Sequence, residues 1–356
     1  MGIFERLTQP RRLAKVLAVT TAAAALTLTA TSASAAGADG TVSGIDALYG
    51  VACPTATTCV SVGFGGVDDN IGKSAVIAAS TGQATVWPGG LTDDPLTAVA
   101  CASAKAKTCL AVADDAVATV NVTTSAMKVT AVPKPPPDGV VGLGAVACAS
   151  AKACYAVGFQ GTESPAKAIA LHLSAAGQVL GKTTGPGKDI AGIACPAATR
   201  CLISDSEAAG VKIQLLNSGK FGAAHPLPAD TYIEAIACYQ ASLCYALGGN
   251  SQSSPITTDE LFPLNPTTGA PGSMITLSGI NGNGLTCVSA TTCLVVGFSG
   301  EGSTAKPAVV PVTSGTPGTV TNYPGENLNG VACATASACY AVGLASTKAI
   351  VDKVAS

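Results

Sequence analysis

The stretch GVACPTATTCVSVG, residues 50–63, recurs six more times along the chain. AVACASAKAKTCLAVA starts at Ala98, AVACASAKACYAVG at Ala145, GIACPAATRCLISD at Gly192, AIACYQASLCYALG at Ala235, GLTCVSATTCLVVG at Gly284 and GVACATASACYAVG at Gly330. The first cysteines of the copies are Cys53, Cys101, Cys148, Cys195, Cys238, Cys287 and Cys333, and the second are Cys59, Cys109, Cys154, Cys201, Cys244, Cys293 and Cys339. Together they account for all 14 cysteines of the chain. A repeat of this period has few architectural solutions, so it decides the fold before any single element is assigned.

Each copy reads as a β-hairpin: a run of small and β-branched residues, a turn of Ala, Ser, Thr and Pro, then a second run ending in Gly. Downstream lie a third β-like run (75–79, 168–173, 211–216, 308–312), a Gly-bearing turn, and a fourth (84–87, 274–277, 319–322). Four short strands per period make the blade of a propeller. Helical repeats of similar period are excluded by the density of Gly and Pro and by the missing 3.6-residue apolar stripe. The reading is therefore all-β: a seven-bladed β-propeller with four-stranded antiparallel blades starting near 47, 96, 142, 189, 232, 281 and 327. The seventh copy ends after three strands, while residues 40–45 form an orphan β-like segment ahead of the first. That segment is expected to be the outer strand of blade seven, which closes the ring.

With 356 residues, a net charge of −2 and only 11% charged residues, the chain sits far below the usual quarter of charged residues. No run of about 18 apolar residues follows the N-terminus, so the mature chain is not expected to span a membrane. The balanced charge gives no footprint of a nucleic-acid binder. Residues 1–35 read as a signal peptide: Arg6, Arg11, Arg12 and Lys15 precede an apolar run at 16–30, and Ala33-Ser34-Ala35 supplies a cleavage site. Residues 36–356 are then the propeller of a secreted, extracellular monomer, with association to the cell wall open.

Cysteine pairs behind an export signal are expected to be oxidised, one disulfide per blade: 53–59, 101–109, 148–154, 195–201, 238–244, 287–293 and 333–339. Hairpin geometry places the residues flanking a short loop opposite one another. The two extra residues of the second copy, around Lys105 to Lys107, lengthen its loop without separating its ends. Zinc ligation is disfavoured because no C-x-x-C occurs and the two histidines, His172 and His225, sit in different copies.

The run of Val and Ala, a tight turn and then Cys-Tyr-Ala-Val-Gly resembles repeats of secreted actinobacterial propellers of unassigned function. More distantly the chain is similar to Asp-box (BNR) propellers, the group that includes sialidases and photosystem assembly factors. Ser80, Gly82, Thr85 and Trp87 echo the Asp-box turn, and its Asp is not matched. The resemblance implies a propeller. It does not carry over sialidase chemistry, since no arginine triad, Tyr nucleophile and acidic partner can be placed.

No catalytic motif is present: no G-x-S-x-G, H-E-x-x-H, phosphate loop or EF-hand. What remains is loop geometry. The turns between second and third strands, with the blade-to-blade connections, gather on one face around the channel mouth, where propellers commonly bind. This face is expected to collect Asp68, Asp69, Asn70, Asp114, Asp115, Glu163, Asp205, Glu207, Asp259, Glu260 and Glu301. Such oxygens suit Ca2+ or a basic partner, and no other cofactor is expected. The leading expectation is a non-enzymatic scaffold engaging an extracellular protein, peptide or cell-envelope glycan through this face. The alternative is a hydrolase or lyase with its site among the same acids. Tyr155, Tyr245 and Tyr340, each following a second cysteine, are expected to pack between blades.

Overall fold

A computed structural model describes residues 40–65, 71–78, 83–87, 94–103, 105–132, 141–161, 166–207, 209–251, 258–346 and 348–354. The segment read as a signal peptide lies outside these residues. Seven antiparallel sheets follow one another around a ring. From the axis outward, blade 1 comprises Ala47–Thr55, Thr58–Phe64, Gly72–Ala78 and Ala84–Val86, and blade 2 Ala98–Cys101, Thr108–Ala113, Ala116–Asn121 and Met127–Ala131. Blade 3 is Val141–Ser150, Ala153–Gln160, Lys167–Leu173 and Val179–Thr184, and blade 4 Asp189–Ala197, Arg200–Glu207, Gly210–Asn217 and Lys220–Pro226. Blade 5 is Thr231–Tyr239, Leu243–Asn250, Thr258–Leu264 and Ile275–Ser278. In blade 6, Asn281–Cys287, Thr292–Ser299 and Lys306–Thr313 are followed by an outer strand broken into Thr316–Pro317 and Thr321–Asn322. Pro317 has no N–H to continue that ladder. Among the described residues no helix is long and apolar enough to cross a membrane.

Blade 7 takes Asn327–Thr335, Ala338–Ala345 and Lys348–Val354 from the end of the chain and its outer strand, Thr41–Val42, from the beginning. Thr41 pairs with Ile350 and Val42 with Ala349. The strand is shorter than residues 40–45 because the chain turns at Ser43 and Gly44, with Gly44 at φ +82°, a conformation open to glycine at little cost. The closure still extends past the ladder: Val351 N–H donates to Gly40 O (2.9 Å) and Ala349 N–H to Ile45 O (3.0 Å). Val42 and Ile45 are buried, each worth about 1.5–3 kcal/mol of apolar transfer.

The core lies between blades. One cluster joins Leu110 and Val112 of blade 2 to Leu143, Ile169 and Leu171 of blade 3, and an equivalent cluster fills each of the seven junctions. Tyr340 reaches from blade 7 into the cluster of Leu48 and Ile77, Tyr155 into that of Ile190 and Leu216, and Tyr245 into that of Leu285 and Val310. These tyrosines are packing residues, as their recurrence suggested.

The close approach of neighbouring inner strands explains the small residue that opens every copy of the repeat. A Cβ on Gly330 would stand 2.6 Å from Tyr49 O, on Gly284 2.9 Å from Asn329 O and on Gly50 3.1 Å from Ala98 Cα. Only Gly or Ala occupies this position, three residues before the first cysteine, in all seven blades.

All seven disulfides are local, with Cα atoms 3.8–4.2 Å apart. The lengthened loop of blade 2 keeps its ends together, at 4.2 Å. The second cysteine of each pair is 0–1% exposed and belongs to an inter-blade cluster, so the bridges are part of the core. Their number places the folded protein in an oxidising environment.

Candidate functional site

Antiparallel alternation divides the ring into two faces. The hairpin turns that carry the disulfides and the turns between third and outer strands share one face. The turns between second and third strands share the other with the blade-to-blade connections; this is the loop face.

Of the residues assigned to the loop face from sequence, Asp68, Asp69, Asn70 and Glu163 lie outside the described residues. Asp114 and Asp115 form the two-residue turn between the second and third strands of blade 2. Asp114 is exposed, yet loss of hydration and then repulsion by the Asp115 carboxylate raise its carboxyl above the ordinary range. Glu301 is exposed in the corresponding turn of blade 6, ahead of a short 3-10 turn, Gly302–Thr304. Glu207 closes the second strand of blade 4 and pairs with Lys212.

Two of the acids are strand residues with buried carboxylates. Asp259 is fully buried at the start of the third strand of blade 5, where Tyr232 Oη donates to Oδ1 (2.7 Å) and Gly282 N–H to Oδ2 (2.5 Å). It ties blade 5 to blade 6. Glu260 beside it is half-buried, and burial raises its carboxyl.

Asp205 departs from the repeat. Four residues after the second cysteine, five blades have glycine, because a Cβ there would stand 1.8–2.0 Å from a carbonyl oxygen of the inner strand (Gly63, Gly158, Gly248, Gly297, Gly343). Blade 2 has Ala113 and blade 4 has Asp205. In blade 4 the space comes from Gly187, on which a Cβ would lie 1.6 Å from Asp205 Oδ1. The Asp205 carboxylate is 1% exposed, and neither oxygen has a hydrogen-bond partner among the described residues. Burial first, then the charges of Glu207 and Asp189, push its carboxyl up to about 7, against the pull of Lys212 and the nearby Gly187 backbone.

The channel mouth is built by residues the loops did not reveal. The residue five before each first cysteine is buried in every blade: Leu48, Leu96, Leu143, Ile190, Ile233, Gly282 and Leu328. The next residue is half-exposed in every blade: Tyr49, Thr97, Gly144, Ala191, Glu234, Asn283 and Asn329. On an innermost strand, the solvent within reach is that of the central channel. These side chains also bridge blades. Asn283 Nδ2 donates to Asn327 Oδ1 (2.7 Å) and Leu328 O (2.9 Å), Asn327 Nδ2 to Asn329 Oδ1 (2.9 Å), and Asn329 Nδ2 to Leu48 O (2.8 Å). The chain of amides crosses the seam where blade 7 meets blade 1. Aligning the copies on their cysteines would have exposed this register.

Around the mouth the connections add Asp46, Asp94, Asp189, Asp230 and Glu326, none of them singled out from sequence. Lys73, Lys167, Lys306 and Lys348 share this face, and burial lowers the Lys73 ammonium, partly offset by Asp46. His172 stacks on Tyr155, with ring centroids 5.2 Å apart, and its Nε2 contacts Lys152 O (3.1 Å) at the opposite end of blade 3. His225 Nε2 contacts Thr268 O (3.0 Å), so the two histidines hold backbone in separate places. Among the described residues, no group of three or more His, Cys, Asp or Glu is placed to hold a metal ion.

No protein-family model and no curated protein matches the chain. Solved structures do. The chain is similar to the WD40 β-propeller domain of Doa1, at 10% identity and a TM-score of 0.61, over 87% of this chain and 94% of that one. A chain of the mitotic checkpoint complex matches at 12% identity and a TM-score of 0.60, over 95% and 100%. A chain of hydrazine synthase from Kuenenia stuttgartiensis matches at 10% identity and 0.62, over 87% and 96%. At such identities the likeness is one of fold, and the fold is a seven-bladed β-propeller.

Proposed function

We propose that this chain is an exported, monomeric, non-enzymatic scaffold whose loop face and channel mouth engage a basic protein or peptide. The carrying observation is the collection of Asp46, Asp94, Asp114, Asp115, Asp189, Asp230, Glu301 and Glu326 on one end of the ring. Carboxylates so placed attract a cationic partner and speed its encounter. One propeller of the same fold stands in a multi-protein assembly, the mitotic checkpoint complex, which agrees with a scaffold role. A cell-envelope glycan and Ca2+ are further ligands of the same face. The Ca2+ proposal draws on the side-chain oxygens of Asp68, Asp69, Asn70 and Glu163, which lie outside the described residues.

Replacing Asp114 and Asp115 by Asn, and Glu301 and Glu326 by Gln, is expected to weaken binding of an oligolysine peptide about tenfold or more at low salt. Fluorescence anisotropy of a labelled peptide reads the change, and unaltered affinity overturns the proposal. Loss of a turnover activity on the same substitutions would favour a hydrolase or lyase instead.

A further inference from the structure

The face that carries the disulfides has the opposite electrostatic character, concentrated in one sector; Lys353 of blade 7 is exposed at the same end but stands apart from it. None of the seven disulfide hairpins contains Asp or Glu between its cysteines, and none of the turns from third to outer strand does. The hairpins of blades 1, 5, 6 and 7 contain no cation either. Those of blades 2, 3 and 4 do: Lys105 and Lys107, Lys152, and Arg200. Lys128 and Lys220 stand at the same end of the outer strands of blades 2 and 4. All six lie on three consecutive blades. The five lysines are exposed, Arg200 is half-exposed and donates to Pro266 O (3.2 Å), and none of the six has an ion pair among the described residues. The two residues by which the hairpin of blade 2 exceeds the others fall in the segment that carries Lys105 and Lys107.

We propose that this sector is a docking surface for a polyanionic glycan, a polysaccharide bearing phosphate or sulfate groups. An acid-free patch of unpaired cations attracts repeated negative charge, and nothing within it competes for the lysines. The residues between the cations choose among polyanions. Ser103, Thr123, Thr124, Ala151, Ala198 and Thr199 are exposed there, offering hydroxyls and methyls. Among the described residues, the exposed large apolar side chains, Val129, Leu180 and Met274, lie on or beside outer strands, and no described hairpin residue presents a wedge for a bilayer. No aromatic ring is exposed in the sector to stack on bases. The proposal is independent of the acidic face; if both hold, the ring links a basic partner to an anionic polymer.

The test compares two variants of the whole chain that carry the same net charge. Sector variant Lys105→Gln/Lys107→Gln/Lys128→Gln/Lys152→Gln is set against control variant Lys167→Gln/Lys182→Gln/Lys306→Gln/Lys348→Gln, on heparin and on phosphomannan. Wild type and control are expected to bind both polymers. The sector variant is expected to lose about tenfold or more in affinity, with the slope of log affinity against log salt falling by roughly one per lysine removed. Equal loss in both variants, or no binding by wild type at physiological salt, would overturn the assignment. Tighter binding to phosphatidylglycerol vesicles or to a DNA duplex than to either glycan polymer would overturn it in favour of that ligand.

Discussion

Unfolded and reduced, this protein is expected not to refold until its disulfides are restored. Each bridge joins residues six or eight apart, a closure worth about 2.4 kcal/mol in the chain-entropy description. Seven of them together exceed the roughly 5–15 kcal/mol that separates an ordinary domain from its unfolded state. The junctions between blades are filled chiefly by Val, Leu, Ile and Ala, and the second cysteine of every pair lies in that filling. Circular dichroism after removal of denaturant is the check. Oxidised chains regain a cooperative melt and reduced, alkylated chains do not. A reduced chain that melts within a few degrees of the oxidised one would show that the bridges are ornaments on a self-sufficient core.

The second large effect concerns Asp205, which stands where five blades have glycine. A carboxyl raised in the folded state to about 7, from an ordinary value near 3.8, favours the protonated form of the fold. Its stabilising contribution is complete below pH 4 and is lost as pH rises through 7. Three units correspond to about 4 kcal/mol, or roughly 10 °C in melting temperature for a chain of this size. Asp352 in blade 7, half-buried and raised by burial to about 6, adds in the same direction between pH 4 and 6. Wild-type protein is therefore expected to melt higher at pH 4.5 than at pH 8. Asp205→Asn should remove most of that slope and raise the melting temperature at pH 8. Melting curves for both proteins across this range decide it; a flat wild-type profile, or a slope the substitution leaves intact, contradicts the assignment.

The architecture was legible because the repeat exposes its own constraints. Cysteines at hairpin ends, Gly or Ala where inner strands touch, and Gly where the second strand passes a carbonyl all recur at fixed distances from one another. The orphan segment at residues 40–45 was legible for the same reason, since blade 7 lacks a fourth strand. The site was less so. Asp205 and Asp259 stand in polar stretches and read as loop ligands, but the pleat turns both carboxylates inward. Side-chain direction is a matter of register, and register emerges only when the copies are aligned on their cysteines. That alignment also brings out the half-exposed series from Tyr49 to Asn329. The net charge of −2 concealed a further feature. Acids and the Lys105–Arg200 sector fall on opposite faces, and a sum over the chain cancels what the topology separates.

Non-reducing peptide mapping of the folded protein tests the closed ring of self-stapled blades most directly. Proteolysis between blades should release seven linked species, 53–59, 101–109, 148–154, 195–201, 238–244, 287–293 and 333–339, with no free thiol. A linkage joining cysteines of different blades, or pairs found reduced, would contradict it.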